Sequence, residues 1–391
     1  MTRQAEPTPF DLVMEVLESN GLSGMADAMR ILLNESMLQE RTRFLGAGPH
    51  ERSPERQGYA NGFKPKSVST RVGKIDVAVP QVRDVASGAS FYPSSLEKGV
   101  RSERALKLAI AEMYVQGVST RKVAAITQEL CGFEVTSASV SRASALMDAE
   151  LGSWRNRPLG CIPFLLLDAR YEKVRHGGAV ISCAVLIAIG IDEAGRRSVL
   201  GVSVSLSEAE VHWRAFLETL QARGLHGVRM VTSDDHAGIK AALAARLAGV
   251  PWQRCQFHLQ QNAGHYVPKV AMREEVARDI RSVFDAVDRL EADRRIGLAV
   301  TKYRESAPDL ANWIERSIPE GLTVFTLPVG CRRKLRTSNL LEGLNKEIRR
   351  RTRVATLFPN EASLLRLVTA VLVEVSDDWE TGRVYLKPAT T

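Results

Sequence analysis

Between residues 10 and 45 apolar side chains recur at three- and four-residue intervals. Phe10, Leu12, Val13, Val16 and Leu17 form one stripe, and Met25, Met29, Leu32, Leu33 and Met37 a second. That period predicts two helices, broken at the turn-forming pair Asn20-Gly21. Ala47 to Lys66 is rich in Gly, Pro and Arg and reads as a loop. Val68 to Val79 alternates apolar and polar residues, the period of a strand or hairpin. Pro80 to Gly99 carries no regular pattern. Three short helices are predicted next: one through Met113-Tyr114 ending near Gly117, one from about Thr120 to Leu130, and one from Thr136 or Ser137 to about Leu151. Either Thr136 or Ser137 can cap the third.

The pattern changes after Cys161. Phe164 to Leu167 is a short apolar run ending on Asp168, Ala179 to Ile189 a second strand, and Ser198 to Ser205 a third after the turn Asp192–Gly195. Ser207 and Glu210 have capping-box spacing, which predicts a helix from about Glu208 to Arg223. Val228 to Thr232 is a fourth strand leading to Asp234, a helix follows to about Leu247, and Trp252 to Phe257 is a fifth strand. The order β-β-β-α-β-α-β, with helices afterwards, is that of a ribonuclease-H-like α/β core on a mixed five-stranded sheet.

Length and composition set the frame. A chain of 391 residues predicts two or three domains, and 45% apolar with 25% charged residues is ordinary globular composition. The expected division is a helical N-terminal region at 1–62, a short β or irregular segment at 63–100, a helix-turn-helix-like region at 101–158 and the catalytic core at 159–391. The formal charge of +8 favours a polyanionic partner. The charge is concentrated: Arg332, Arg333, Lys334, Arg336, Lys346, Arg349, Arg350, Arg351 and Arg353 face only Glu342 and Glu347 between Cys331 and Arg353. A basic stripe of that kind is the footprint of phosphate-backbone binding. The five cysteines, Cys131, Cys161, Cys183, Cys255 and Cys331, are scattered, which argues against a disulfide framework. MTRQAEPTPFDLVMEVLE shows no apolar leader. The uncharged stretch Gly177–Ile191 falls short of the ~20 residues of a spanning helix. A soluble cytoplasmic, nucleoid-associated protein with no membrane partner is expected.

Two strand-end carboxylates, Asp168 and Asp234, and a third on the predicted helix Asn339–Arg353, Glu342, can converge at one edge of a sheet. Hard oxygen ligands of this type suit Mg²⁺ or Mn²⁺. Two such ions ~3.5–4 Å apart stabilise both oxygens of an in-line phosphoryl displacement. Lys346 and Arg349 share a helix face with Glu342, beside the expected phosphates, and Arg336 and Arg350 extend the basic stripe. Glu342–Lys346 as a plain surface ion pair fits the same spacing. In the three-helix segment the last helix would offer Ser137, Ser139, Ser141 and Arg142 to the major groove; a simple helical bundle fits that segment equally. Cys255 and His258 make a CxxH pair, an incomplete zinc site with a supporting role. His236 can hydrogen-bond a carboxylate or phosphate, Asp235 can cap a helix, and Trp213 is either core or a base-stacking surface.

Several of these segments together resemble the mutator-type bacterial insertion-sequence transposases. They are LLLDARYEKVR, VLIAIGIDEAGRRSVLGVSVS, VTSDDHAGIK, WQRCQFH and LRTSNLLEGLNKEIRRRTRVATLFPNEAS, preceded by AEMYVQGVSTRKVAAIT and SWRNRPL. The likeness runs from about Leu32 to Trp379. It implies a DDE transposase whose acidic triad falls on Asp168, Asp234 and Glu342, with the basic residue seven positions later on Arg349 and the CxxH motif on Cys255 and His258. It also implies a helical insertion at about 262–330, two divalent ions, excision through a donor circle, and double-stranded DNA as substrate (terminal inverted repeats and target). A homodimer or larger synaptic oligomer is expected, since two DNA ends react together. Arg170, Asp235, Gly343 and Cys331 depart from the usual family residues. A structure-selective nuclease of the same fold and a catalytically inactive DNA-binding regulator are the competing readings.

Overall fold

The computed structural model describes residues 7–85, 88–99, 102–353 and 357–386. Residues 1–6, part of the leader reading, and residues 354–356 of the long C-terminal motif lie outside the described residues. The chain forms two compact units, Met1–Leu146 and Met147–Thr391.

In the first unit, helix α1 (Pro9–Asn20) and helix α2 (Met25–Leu45) flank the expected break. Thr8 caps α1 through the Asp11 N–H, and Asp11 returns a bond to the Thr8 N–H. Of the α1 stripe only Val13 is buried, while Phe10 stays exposed. The alternating segment is the centre of a longer antiparallel hairpin, β1 (Tyr59–Thr70) and β2 (Gly73–Arg83). Ile75, Val77 and Val79 point inward from β2, and the last two meet the fully buried Met37 of α2. Helices α3 (Arg104–Val115), α4 (Thr120–Cys131) and α5 (Ser137–Ser144) follow, α4 capped by Ser119 and α5 by Thr136. The third helix is shorter than expected: it stops at Ser144, passes through a 3-10 turn, and α6 (Asp148–Arg155) begins separately in the second unit.

The second unit is built on a five-stranded mixed sheet ordered β5-β4-β3-β6-β7. Its strands are β3 (Phe164–His176), β4 (Ala179–Ile191), β5 (Arg197–Ser205), β6 (Met230–Ser233) and β7 (Trp252–Arg254). β3, β4 and β5 are antiparallel neighbours, and β6 and β7 run parallel to β3. On one face, Leu165, Leu167, Leu186 and Ala188 pack against α7 (Glu210–Ala222) and α8 (Ala237–Arg246) through Trp213, Phe216, Leu220 and Ile239. Strand alternation sends Leu166, Ile187 and Ile189 to the other face, where α14 (Asn339–Thr352) and α15 (Glu361–Thr381) lie. Two local readings change. The capping box does not form: Ala209 precedes α7, and Ser207 Oγ accepts from the Ala209 N–H instead. The fifth strand stops at Arg254 because Gln256 already begins α9 (Gln256–Ala263).

Between α9 and α14 stand α10 (Arg273–Phe284), α11 (Arg289–Tyr303), α12 (Pro308–Ser317) and α13 (Val329–Leu335). The first three share a core of their own with α9, including Leu259, Ile280, Phe284, Tyr303, Leu310 and Ile314. Gln253 ties this subassembly to β7: its amide donates to Gly321 O at 2.8 Å and accepts from the Val324 N–H at 2.7 Å. Among the described residues no helix is long and apolar enough to cross a membrane.

Candidate active site

Asp168 is not at the end of its strand, as expected, but near the middle of β3, opposite Ile187 of β4. Its other edge explains the difference. β6 pairs with β3 only from Phe164↔Met230 to Leu166↔Thr232. Extending that parallel register by two residues sets Asp168 beside Asp234, just where β6 has ended and the ladder opens. The β6–β7 register, Ser233↔Arg254, extends in the same way to set Asp234 beside Cys255, and the Cys255 N–H donates to Ser233 O at 2.8 Å. Asp168, Asp234 and Cys255 thus form a row on one face of the sheet, with neighbouring strands ~4.8 Å apart.

Glu342 arrives from the first turn of α14. The start of that helix is held against the row by backbone and side-chain bonds. Thr232 Oγ1 donates to Leu335 O at 2.9 Å, the Gln256 N–H to Arg336 O at 3.0 Å, and Cys255 Sγ accepts from Ser338 N and Oγ at 3.3 and 3.2 Å. Three residues after Glu342, Asn345 Nδ2 donates to Asp168 Oδ2 at 2.6 Å. Arg170 Nη1 then donates to Asn345 O at 2.5 Å while its other amine pairs with Glu172. Asn345 escaped the sequence reading although its position, one turn beyond Glu342, is the signal that would have found it.

The electrostatics follow from burial. Asp168 is pushed up to about 6, first by burial and then by the Asp234 charge, against the Asn345 bond. The Cys255 thiol raises the His258 imidazole to about 9 against burial, with Asp234 and Asp168 adding to the effect. Burial pushes the thiol itself up, but His258 and the Ser338 donors outweigh it and the net shift is downward. His258 therefore supplies positive charge next to two carboxylates. Asp234 Oδ1, Glu342 Oε1 and His258 Nδ1 are buried with no hydrogen-bond partner. Unpaired carboxylate oxygens are expensive unless a ligand meets them, and hard oxygen donors of this kind fit a divalent cation. Among the described residues no three His, Cys, Asp or Glu side chains already form a closed metal cage.

Around this centre the other expected residues separate. Lys346 and Arg349 are exposed and, among the described residues, enter no ion pair. Arg350 is held by Glu347, Arg351 is buried between Glu347 and Glu374, and Arg336 is held by Asp285 at 2.7 Å. Three of the nine basic residues of the stripe are thus ion-paired within the fold. Trp213 is fully buried, the packing reading rather than the base-stacking one. His236 caps α8, its Nδ1 accepting from the Gly238 N–H at 3.2 Å, and it stands 3.7 Å from Glu208. Asp235 is no cap; it pairs with Arg254 and Lys240, both at 2.8 Å. Glu208, read only as a helix start, is a buried carboxylate raised by burial and by Asp234. In the first unit Arg142 is exposed on α5 and bonded at 2.8 Å to the half-buried Ser139. All five cysteines are free.

The family model described as "Transposase, Mutator family" matches residues 8–382. The transposase for insertion sequence element IS406 of Burkholderia multivorans is 54% identical over 99% of this chain and 99% of its own length. That for ISRM5 of Rhizobium meliloti is 41% identical over 99% of this chain and 96% of its own, and that for IS256 in transposon Tn4001 of Staphylococcus aureus 36% over 89% of each.

Proposed function

This chain belongs to the Mutator family of insertion-sequence transposases, and from that premise we propose that Asp168, Asp234 and Glu342 are the acidic triad of a ribonuclease-H-like DDE centre. The observation that carries the proposal is the aligned pair Asp168–Asp234 with α14 bonded across it through Asn345. The strand order, with three antiparallel strands followed by two parallel ones, supports the same fold assignment. Asp168, Asp234 and Glu342 would hold two Mg²⁺ or Mn²⁺ ions, which when bound polarise the scissile phosphodiester and its attacking oxygen. The orphaned oxygens of Asp234 and Glu342 are the ones free to bind.

The chain's own groups do the rest. Asn345 fixes one Asp168 oxygen. The His258 charge offsets the paired aspartates. Lys346 and Arg349 lie exposed further along α14 and bind the DNA backbone. The protein binds the terminal inverted repeats of its own element, cuts them and joins the freed 3′ ends, working as a dimer or larger assembly. Incubation with labelled terminal-repeat DNA and Mg²⁺ should give strand-transfer products. Asp168→Asn should abolish cleavage and joining while leaving DNA binding intact. Cleavage without joining would mean a nuclease, binding without cleavage in either metal would mean a regulator, and cleavage by the Asn variant would remove Asp168 from the centre.

A further inference from the structure

We propose that the first unit carries a second duplex-DNA backbone site, in the cavity enclosed by the end of α2, the loop at 46–58 and the β1–β2 hairpin. The inference rests on the reading of the chain as a DNA transposase. It assigns a surface distinct from α5 and from the basic stripe of α14.

The cavity measures about 950 Å³, and Arg41, His50, Arg52, Arg56 and Arg83 line it against a single carboxylate, Glu51. Glu51 is already engaged, accepting from the Gly48 N–H at 2.6 Å. Arg56 is fixed by neutral groups: its Nη2 donates to Gly48 O at 3.0 Å and to Glu51 O at 2.6 Å. Carbonyl partners orient a guanidinium without cancelling its charge. Among the described residues Arg41, Arg52 and Arg56 enter no ion pair, and Arg83 meets only Asp84 at 3.7 Å, with both side chains mostly in solvent. A contact of that length and exposure contributes little.

The walls are built to hold their shape. Gly46 ends α2 in the left-handed region, and a Cβ there would stand 2.6 Å from Glu55 O, so the loop returns tightly onto the helix end. The Gln57 N–H donates to Leu45 O at 2.9 Å and closes it. Two aromatic rings, Tyr59 and Phe63, are more than half exposed on β1, with Arg56 5.6 Å from the first ring and Arg41 5.2 Å from the second. Arginines spread around a wide opening match several phosphates along a strand better than one small anion. The rings offer apolar surface for the sugars between them. Arg, planar and always charged, is the cation suited to that contact.

The test is a duplex-binding titration of the full chain and of Arg52→Ala/Arg83→Ala across a series of KCl concentrations. Neither side chain is needed for the core, and the melting temperature should stay that of wild type. Two lost phosphate contacts should lower the slope of log K against log salt by about 1.8, and affinity by roughly tenfold, equally for terminal-repeat and unrelated duplexes. Arg52→Lys/Arg83→Lys should recover most of the slope. An unchanged slope and affinity would overturn the assignment, as would a loss confined to single-stranded oligonucleotides or to the terminal repeat. Strand transfer by wild type is run alongside. If wild type joins DNA ends while the alanine variant keeps the wild-type slope, the surface assignment fails and the transposase reading stands. If wild type never joins ends but the variant loses slope, the transposase reading fails alone.

Discussion

Ionising Asp168 in the metal-free protein means charging a half-buried strand residue beside a second carboxylate. Its folded value of about 6 lies above the ordinary 3.8, so the folded state holds the proton more tightly than the unfolded chain does. Stability is therefore unaffected below the unfolded value, falls as pH rises through the window from 3.8 to about 6, and stays lowered above it. The full penalty is about 3 kcal/mol. Asp168→Asn removes the charge, so the metal-free variant should melt higher than wild type at pH 7 to 8 and close to it at pH 4; a lower melting temperature at neutral pH would contradict this account. Asn345 acts one step away, through Asp168. Asn345→Ala should raise the Mg²⁺ concentration for half-maximal cleavage about tenfold and leave duplex affinity unchanged. A loss of activity that added Mg²⁺ does not recover would argue against a positioning role.

At the scale of elements, the end of β6 decides where the proposed triad sits. The strand is short, and its last residue is followed at once by Asp234 and by the cap of α8. That junction is crowded: a Cβ on Gly238 would lie 2.0 Å from Glu208 O, backbone that cannot rotate away. Gly238→Ala should push α8 from its seat beneath Asp234, lower the melting temperature by several degrees and abolish cleavage. Wild-type melting with full activity would show that the contact yields easily. The other junction, α13 to α14, depends on Cys255 as an acceptor for Ser338, which gives the CxxH motif a structural use without zinc.

Across the second unit, one charged network joins the sheet to the helical insertion. Arg254, with its side chain only 6% exposed, bonds Asp235 and Glu320 at 2.8 Å each, and Lys240 reaches both carboxylates as well. Asp235 adjoins Asp234, so the insertion is coupled directly to a position of the proposed triad. Arg254→Ala leaves two carboxylates without their shared partner and should destabilise the protein by about 3 kcal/mol, read by urea unfolding. A change under about 0.5 kcal/mol would mean that water replaces the guanidinium at no cost. The sequence showed the room for an insertion but not this link, because Arg254, Asp235 and Glu320 follow no period and Asp235 looked like an ordinary cap.

Local pattern was enough for the order of the core elements, the helix carrying Glu342, and the breaks at Asn20-Gly21 and near Gly117. Those features depend on period, turn residues and caps, which act within a few residues of chain. Strand length was misread at β3 because its second half is half-exposed and polar on one face, and propensity does not see the partner β4 that extends it. Only the tertiary structure decided the register that aligns Asp168 with Asp234, the bonds that bring α14 over them, and the pairing that neutralises Arg336, Arg350 and Arg351 while leaving Lys346 and Arg349 exposed. Register and ion pairing join residues far apart along the chain, where spacing carries no signal.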